Sequence, residues 1–503
     1  MYFFLYYLIV KKRISVRSNT PAQLLDIKRR SVVGAVSYFS RSLLLQAIGI
    51  VSIIVLSIFF EPEDFGIYGL VTQVIGILVF FSDIGLAAAL IQKKDEPSIK
   101  DYRTTFTVQF LLSLVIFLAC LVVIALGLLS QKTGPVGNWI LLALAISFPL
   151  ATLKTIPSIQ LERHLDFSKL IVPQIVEQIT FHLILITLAI KGWGAAAYVP
   201  AVLVRSVSGV IVLSILKPWK IGLALDKQSL KSLLNFGVKF QINDFLARIK
   251  DQLFFLVLGI VLPLREFGYV QWAKTWSIYP YNLTVNSVLA ITFPTFSRLQ
   301  GHPEKLQRAI EKSLFFISLV IFPILLGMSL FIKPLLALIP TYAKWQPATL
   351  SFILFSLSIG WSAISTPLTN TLNAIGEINK TLKLMVMWTA LTWVLTPVLI
   401  YFYGFNGVAL AALLISFTSI FSVKYVREIL PVRVWEHTWR QALAALMMAV
   451  IGVLGMKYWQ QNVWWLILGM ATVGAGYIVT MLLFGFDILK REVLSLLSVR
   501  REK

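Results

Sequence analysis

Long apolar runs of similar length follow one another along the chain, separated by short polar interruptions. A hydrocarbon core of about 30 Å is crossed by roughly 20 helical residues. Fourteen runs reach or approach that length: 31–60, 66–92, 104–129, 139–160, 170–190, 195–216, 233–262, 269–296, 313–332, 347–372, 384–401, 407–423, 441–456 and 463–485. The longest interruptions, 217–232 and 297–312, hold 16 residues each, too few for a separate soluble catalytic or nucleotide-binding domain. The pattern predicts an all-α polytopic membrane protein with about 14 transmembrane helices.

Two interruptions echo one another. Residues 59–69 read FFEPEDFGIYG and residues 260–270 read IVLPLREFGYV; each ends a span, turns at proline and restarts at Phe-Gly, with Phe65-Gly66 and Phe267-Gly268 lying 202 residues apart. A second echo joins GWGAAA at 192–197 to GFNGVALA at 404–411. These echoes predict a duplicated six-span unit, 31–216 and 217–430, followed by two further spans and a tail in 431–503. An even number of spans gives both copies the same orientation. Two six-helix lobes would then be related by a pseudo-two-fold axis along the membrane normal, with a cavity between them.

Composition agrees and adds orientation. The chain is 58% hydrophobic and 14% charged, with mean hydropathy +0.81, against about 25% charged residues in a soluble domain. Its 45 Lys+Arg outnumber 23 Asp+Glu, for a net charge of +22. Such an excess fits either a nucleic-acid partner or basic cytoplasmic loops, and its placement decides. One side of the spans carries 32 basic residues; the other carries 6, namely Lys132, Lys191, Arg265, Lys333, Lys344 and Lys457. Basic residues are retained in the cytoplasm during insertion, so both termini are expected inside, and no nucleic-acid partner is needed. The first 30 residues read as a cytoplasmic arm or as the product of an upstream start site, because their apolar start precedes Lys11, Lys12 and Arg13, the reverse of a cleaved signal peptide. Cys120 stands alone and excludes an internal disulfide or multi-cysteine metal site.

Seven basic residues fall within spans: Arg41, Lys154, Arg205, Lys239, Arg248, Lys250 and Lys274; the acids at comparable depth are Asp83, Glu177, Asp244 and Asp251. Charge at a helix centre costs about 2.5–3.5 kcal/mol on the insertion scale and usually faces protein or water. The seventh run concentrates them. At about 100° per residue from Lys239, Lys250 lies near 20°, whereas Asp251, Asp244 and Arg248 lie near 120°, 140° and 180°. One basic and one mixed stripe result, and the cytoplasmic half of this span is expected to face an aqueous cavity. Arg41, Lys239, Arg248, Lys250 and Lys274 are the candidate substrate-binding residues, their positive lining suited to phosphate or pyrophosphate. Asp83, Asp244 and Asp251 are candidates for ion coupling or cavity salt bridges. For Asp244, Arg248 and Asp251 the competing reading is a helix-to-helix salt-bridge cluster. Lys154, Glu177 and Arg205 occur singly and read as structural.

Other motifs carry less. Gly192, Gly194 and Ala197 match a dinucleotide pattern but join two spans with no strand before them. No Gly-Lys-Ser/Thr loop occurs, and His164, His182, His302 and His437 lie in separate segments without metal spacing; no metal or cofactor is expected. The external turn Glu61-Pro62-Glu63-Asp64 could supply the carboxylate base of a membrane glycosyltransferase, yet its copy reads Pro263-Leu264-Arg265-Glu266, and a proline turn accounts for both. Trp139, Trp345, Trp459, Trp464 and Trp465 read as interfacial anchors.

The basic arm leading into the first span, PEDFGIYGLV (62–71), FSDIGLAAALIQKKD (81–95) and FPTFSRLQ (293–300) resemble bacterial polysaccharide flippases of the multidrug/oligosaccharidyl-lipid/polysaccharide exporter superfamily. The resemblance covers about residues 28–490. It implies two lobes around a cationic cavity, with Arg41, Asp83, Lys239, Arg248 and Lys274 on spans that line it in similar flippases. It also implies movement of undecaprenyl-pyrophosphate-linked oligosaccharide from the cytoplasmic to the periplasmic leaflet of the bacterial inner membrane, for O-antigen, capsule or exopolysaccharide assembly. Partners would be that lipid-linked sugar, membrane lipids and other polysaccharide assembly proteins. The alternatives are a drug/cation antiporter of the same superfamily, which calls for an acid-dominated cavity, and an integral-membrane glycosyltransferase or polymerase, which calls for essential external carboxylates.

Overall fold

The computed structural model describes residues 43–93, 95–164 and 166–498, with side chains described except at 167, 235–250, 290–291, 293–294, 489 and 491–498. The expected arm (1–30), the start of the first span and Arg41 lie outside the described residues. All regular structure among the described residues is helical.

The first helices are α1 (Leu43–Phe59), α2 (Pro62–Val79), α3 (Leu86–Gln92), α4 (Ile99–Ala125), α5 (Ser130–Arg163), α6 (Phe167–Ile190) and α7 (Tyr198–Leu216). Then follow α8 (Lys227–Val261), α9 (Leu264–Arg298), α10 (Pro303–Leu338), α11 (Thr349–Ala374) and α12 (Ile378–Tyr403). The chain closes with α13 (Asn406–Phe417), α14 (Ile420–Arg427), α15 (Val434–Leu454), α16 (Met456–Trp459) and α17 (Val463–Ser498). Where the residues are described, the expected apolar runs fall mostly on helix, the second and twelfth being interrupted. Eleven helical segments among the described residues are long and apolar enough to cross a membrane.

Local chemistry sets the helix starts. Ser98 opens α4, its hydroxyl accepting from Asp101 N at 3.2 Å while Asp101 Oδ2 accepts from Ser98 N at 2.8 Å, a reciprocal cap that satisfies two otherwise orphaned donors. Asp226 opens α8 by accepting from Ser229 N at 2.8 Å, and this bond holds its carboxyl below the usual carboxylate range. Pro62 and Pro303 begin α2 and α10, where a missing N–H costs nothing.

Several helices outrun their apolar runs. The fourth run, expected at 139–160, lies in α5 from Ser130 to Arg163, which is broken near its start by Gly134 at φ 64°, and the ninth, expected at 313–332, is α10 from Pro303 to Leu338. The extension of α10 is amphipathic: Leu306 and Ile310 are buried while Glu304 and Lys305 are exposed, so packing continues the helix beyond the apolar stretch. The second run, expected to be continuous over 66–92, is broken. After α2 come a 3₁₀ turn at Phe80–Ser82, an extended Asp83, and Gly85 at φ 82°, a left-handed conformation that glycine adopts without a Cβ penalty. A third difference concerns tryptophans. Trp345 is fully buried and stacks on Trp272 with ring centroids 4.9 Å apart, and Trp459 is buried with Nε1 donating to Gly452 O at 3.0 Å. Both are core residues, whereas Trp139 and Trp464 are exposed.

By packing, the chain divides into two compact units after Gly268, inside α9. In the first unit, α4 to α7 pack on one another and α8 runs antiparallel along α2 and α3. Leu233 of α8 joins the core of Leu86, Leu90, Phe106, Ile156 and Ile159. Further along, Gln252 lies against Gly76, and Gly259 against Leu70 and Phe267. In the second unit, α10 is the central helix, packed by α11, α15 and α17. Apolar burial drives little helix association in lipid, where tails are as apolar as leucine, so close packing and hydrogen bonds carry the stability.

Candidate functional site

The two repeated turns meet. A Cβ built on Gly66 would lie 2.1 Å from the carbonyl oxygen of Leu264, and one built on Gly268 would lie 1.8 Å from that of Pro62. Pro62 and Leu264, like Gly66 and Gly268, are equivalent positions of the two copies, 202 residues apart. The contact is therefore reciprocal within the first unit: each turn's glycine sits on the first helical carbonyl of the other turn. Only glycine permits this approach, because any Cβ would occupy the carbonyl's space. Glu63 and Arg265, also equivalent, pair across it at 3.6 Å.

The acids of this turn have local partners. Asp64 Oδ2 accepts from Glu61 N at 2.8 Å and Oδ1 from Ala195 N at 2.7 Å, which ties the α2 start to the Gly-rich turn between α6 and α7. That turn, 194–197, is a single 3₁₀ turn between two spans, not a dinucleotide loop. Below it, Tyr68 stacks on Tyr198 at 3.6 Å with 5° between the planes. His182 Nδ1 lies 2.7 Å from Ser52 Oγ, and the Arg205 guanidinium sits 5.5 Å from the centre of the Phe181 ring. The carboxylates required by a glycosyltransferase are thus bonded into the fold.

The break in the second span forms a second polar centre. Asp83 Oδ1 accepts from Leu86 N at 2.9 Å, from Ala87 N at 3.4 Å and from Gln109 Nε2 at 3.1 Å, so it satisfies donors at the start of α3. Arg163 closes the other end of α3, donating to the carbonyls of Leu90 and Ile91 at 2.6 and 3.1 Å; a cation at a helix C-terminus complements its dipole. Lys93 pairs with Asp101 at 2.6 Å.

The expected cavity residues are only partly described. Lys239, Asp244, Arg248 and Lys250 lie on the α8 helix, with their side chains outside the described residues. Asp251 is exposed, and Lys274 is half-buried on α9 in the second unit. Lys154 and Glu177, read as structural, are bonded to each other between α5 and α6. Gln109 and Thr105 of α4, buried beside the α2/α3 break, have no distinguishing mark in the sequence, because uncharged amides and hydroxyls do not stand out within an apolar run. The Glu63–Arg265 pair could have been read from the 202-residue offset, which aligns opposite charges.

Comparison with known proteins places this geometry in context. Residues 55–350 match the family model described as polysaccharide biosynthesis protein. The chain is 23% identical over 314 residues to the succinoglycan biosynthesis transport protein ExoT of Rhizobium meliloti (strain 1021), covering 62% of each chain. It is 23% identical over 312 residues to the lipopolysaccharide biosynthesis protein WzxC of Escherichia coli (strain K12), covering 60% of this chain and 62% of that one. The matched segments thus span somewhat less than two thirds of these curated relatives. In fold it is similar to the lipid II flippase MurJ in an inward closed conformation, with a TM-score of 0.73 at 15% identity over 91% of this chain and 100% of that one. An inward-facing multidrug resistance MATE family transporter of the MOP superfamily gives a TM-score of 0.59 at 13% identity, covering 78% and 98%.

Proposed function

The chain belongs to the polysaccharide biosynthesis protein family, and from that premise we propose that it is a flippase for undecaprenyl-pyrophosphate-linked oligosaccharide repeat units. It carries them from the cytoplasmic to the periplasmic leaflet of the bacterial inner membrane, with both of its own termini cytoplasmic. Arg41, Lys239, Arg248, Lys250 and Lys274 hold the pyrophosphate and sugars, while the prenyl tail stays in lipid. The protein supplies a route that spares the head group its desolvation cost, and no bond is made or broken.

The observation that supports this reading most directly is the reciprocal contact of Gly66 and Gly268. Alternating access requires one end of the route to close while the other admits substrate. Two equivalent turns that meet backbone to backbone offer a narrow contact at which one end of such a route can close. The transport protein among the relatives supports the same class. The enzyme alternative is weakened because Asp64 and Glu63 serve the fold, and the antiporter alternative by five candidate basic residues against three acids.

The test is leaflet-specific. Cells lacking the protein should accumulate the lipid-linked repeat unit in the cytoplasmic leaflet, shielded from an impermeant periplasmic glycan-oxidising reagent, and restoring the protein should expose it. Equal exposure with and without the protein would reject the proposal.

A further inference from the structure

Residues 217–226, between α7 and α8, run extended along the start of α4. Ala224 N donates to Thr107 Oγ1 and Asp226 N to Thr104 Oγ1, each at 3.1 Å, and Trp219 meets the Phe106 ring with centroids 5.2 Å apart. Extended chain points alternate side chains to opposite faces. Gly222, Ala224 and Asp226 are half-buried on the α4 side, where a Cβ on Gly222 would lie 2.4 Å from Arg103 Nε. Ile221, Leu223 and Leu225 are turned outward, 59%, 70% and 55% exposed. Three aliphatic side chains in a row on the outside of a polar connection call for an apolar cover.

Their height identifies the cover. The α4 helix has 27 residues, about 40 Å of length, so a hydrocarbon layer of about 30 Å centred on it begins about 5 Å from its first residue. Thr104 and Thr107, five and eight residues into α4, lie just inside that edge and hold the strand there. The outward row also continues the exposed face of α7, where Ile211 and Ile215 stand one turn apart. Charge selects the lipid. Residues 217–234 hold Lys217, Lys220, Lys227 and Lys231 against one acid, Asp226, whose carboxylate is engaged by Ser229 N. Lys227 and Lys231, both exposed, alternate with half-buried Leu230 and Leu234 around an open groove of about 280 Å³ on the first turns of α8. Two ammonium groups beside two leucines match a phosphate and the first methylenes of its chains. We propose that residues 217–234 bind an anionic phospholipid of the adjoining leaflet, with Ile221, Leu223 and Leu225 in its acyl layer and Lys227 and Lys231 on its phosphate. The site needs only that α4 and α7 cross a membrane, so it is decided separately from glycan transport.

The full-length chain, purified in detergent, is titrated in separate arms with dioctanoylphosphatidylglycerol, dioctanoylphosphatidylcholine, farnesyl pyrophosphate and inorganic phosphate while its melting temperature is followed. Saturable stabilisation by the phosphatidylglycerol is expected, with a weaker response to the phosphatidylcholine. Lys227→Gln with Lys231→Gln should weaken it at least about fivefold, the worth of one lysine beside an anionic surface; both side chains are exposed, so the exchange spares the fold. In nanodiscs of phosphatidylcholine and phosphatidylglycerol, a nitroxide attached at Leu223→Cys, with Cys120→Ala, should collide more with oxygen than with a water-soluble nickel chelate. An equal response to the two phospholipids, a response unchanged in the double lysine variant, or a nitroxide reached better by the chelate would each overturn the proposal. Two other outcomes also overturn it: saturation by inorganic phosphate alone would leave only an anion site, and stabilisation by farnesyl pyrophosphate without any by phosphatidylglycerol would give the groove to a prenyl-linked substrate.

Discussion

Glu63 and Arg265 stand at the same position of two sequence copies, 202 residues apart, carry opposite charge, and face each other at 3.6 Å. The Gly66 and Gly268 contacts are self-complementary, each copy offering the same group to the other. The charged pair breaks that identity: like charges at both positions would repel, whereas the glutamate and arginine present attract.

Reversal of this pair is the first test. Both side chains are well exposed, at 41% and 56%, so the pair contributes at most about 1 kcal/mol to stability. Glu63→Arg or Arg265→Glu alone should place like charges together and lower glycan export with little change in melting temperature. The double reversal should recover export, because the attraction returns with its sign exchanged. Loss of export in the double reversal as deep as in either single variant would show that identity, and not pairing, matters at these positions.

The glycines should be far less tolerant. Alanine at Gly66 or Gly268 puts a methyl within 2.1 or 1.8 Å of a backbone carbonyl, and backbone cannot swing aside as a side chain does. Overpacking costs about 1–3 kcal/mol, here borne by the closed contact. Gly66→Ala should therefore make a cysteine at Glu61 react faster with an impermeant thiol reagent from outside, in a chain whose buried Cys120 is replaced by alanine. Gly268→Ala should behave alike, since the contact is reciprocal. Unchanged labelling in both would mean that the turns do not bar access.

How far the sequence disclosed these features differs from feature to feature. The spans were legible because crossing hydrocarbon demands an apolar run of fixed length, and α6, expected at 170–190 and found at Phe167–Ile190, shows how closely. The reach of α10 to Pro303 was not, because its extension is held by packing of Leu306 and Ile310 rather than by apolar content. The Asp83 break follows from one cap and one left-handed glycine, a signal too short to stand out within an apolar run. Trp345 was misplaced for a related reason: tryptophan near a span end has the same sequence appearance whether it faces lipid or stacks on Trp272. The repeated turns are visible as an echo, but their mutual contact depends on how α2 and α9 pack and has no counterpart in the sequence.

Lys154 and Glu177 allow a stability prediction. The pair joins α5 to α6 with side chains only 22% and 13% exposed, and Gly209 of α7 makes room, since a Cβ there would lie 1.7 Å from Glu177 Oε1. Removing one partner leaves the other charge poorly solvated. Lys154→Met or Glu177→Gln alone should lower stability on the order of 3 kcal/mol, whereas Lys154→Met with Glu177→Leu should recover most of it, as buried pairs often exchange for apolar ones at little cost. The measurement is thermal unfolding of the three variants in one detergent. If the double variant exports glycan normally, the pair is structural; if it is stable but inactive, the carboxylate has a further role.

The cationic residues carry the functional proposal and should separate charge from geometry. A pyrophosphate offers paired oxygens that a guanidinium engages two at a time, while an ammonium acts as a point charge. Arg41→Ala, Arg248→Ala and Lys274→Ala should each reduce glycan export at normal protein levels. Arg248→Lys should retain part of it, because the monopole survives and the bidentate grip does not; Lys274→Arg should retain most, since charge is kept and donors are added. A loss confined to alanine, with lysine and arginine interchangeable at every position, would mean that these residues set a field rather than grip the head group. Full export by all three alanine variants would remove the cationic route altogether and leave the Gly66–Gly268 closure without a substrate to guard.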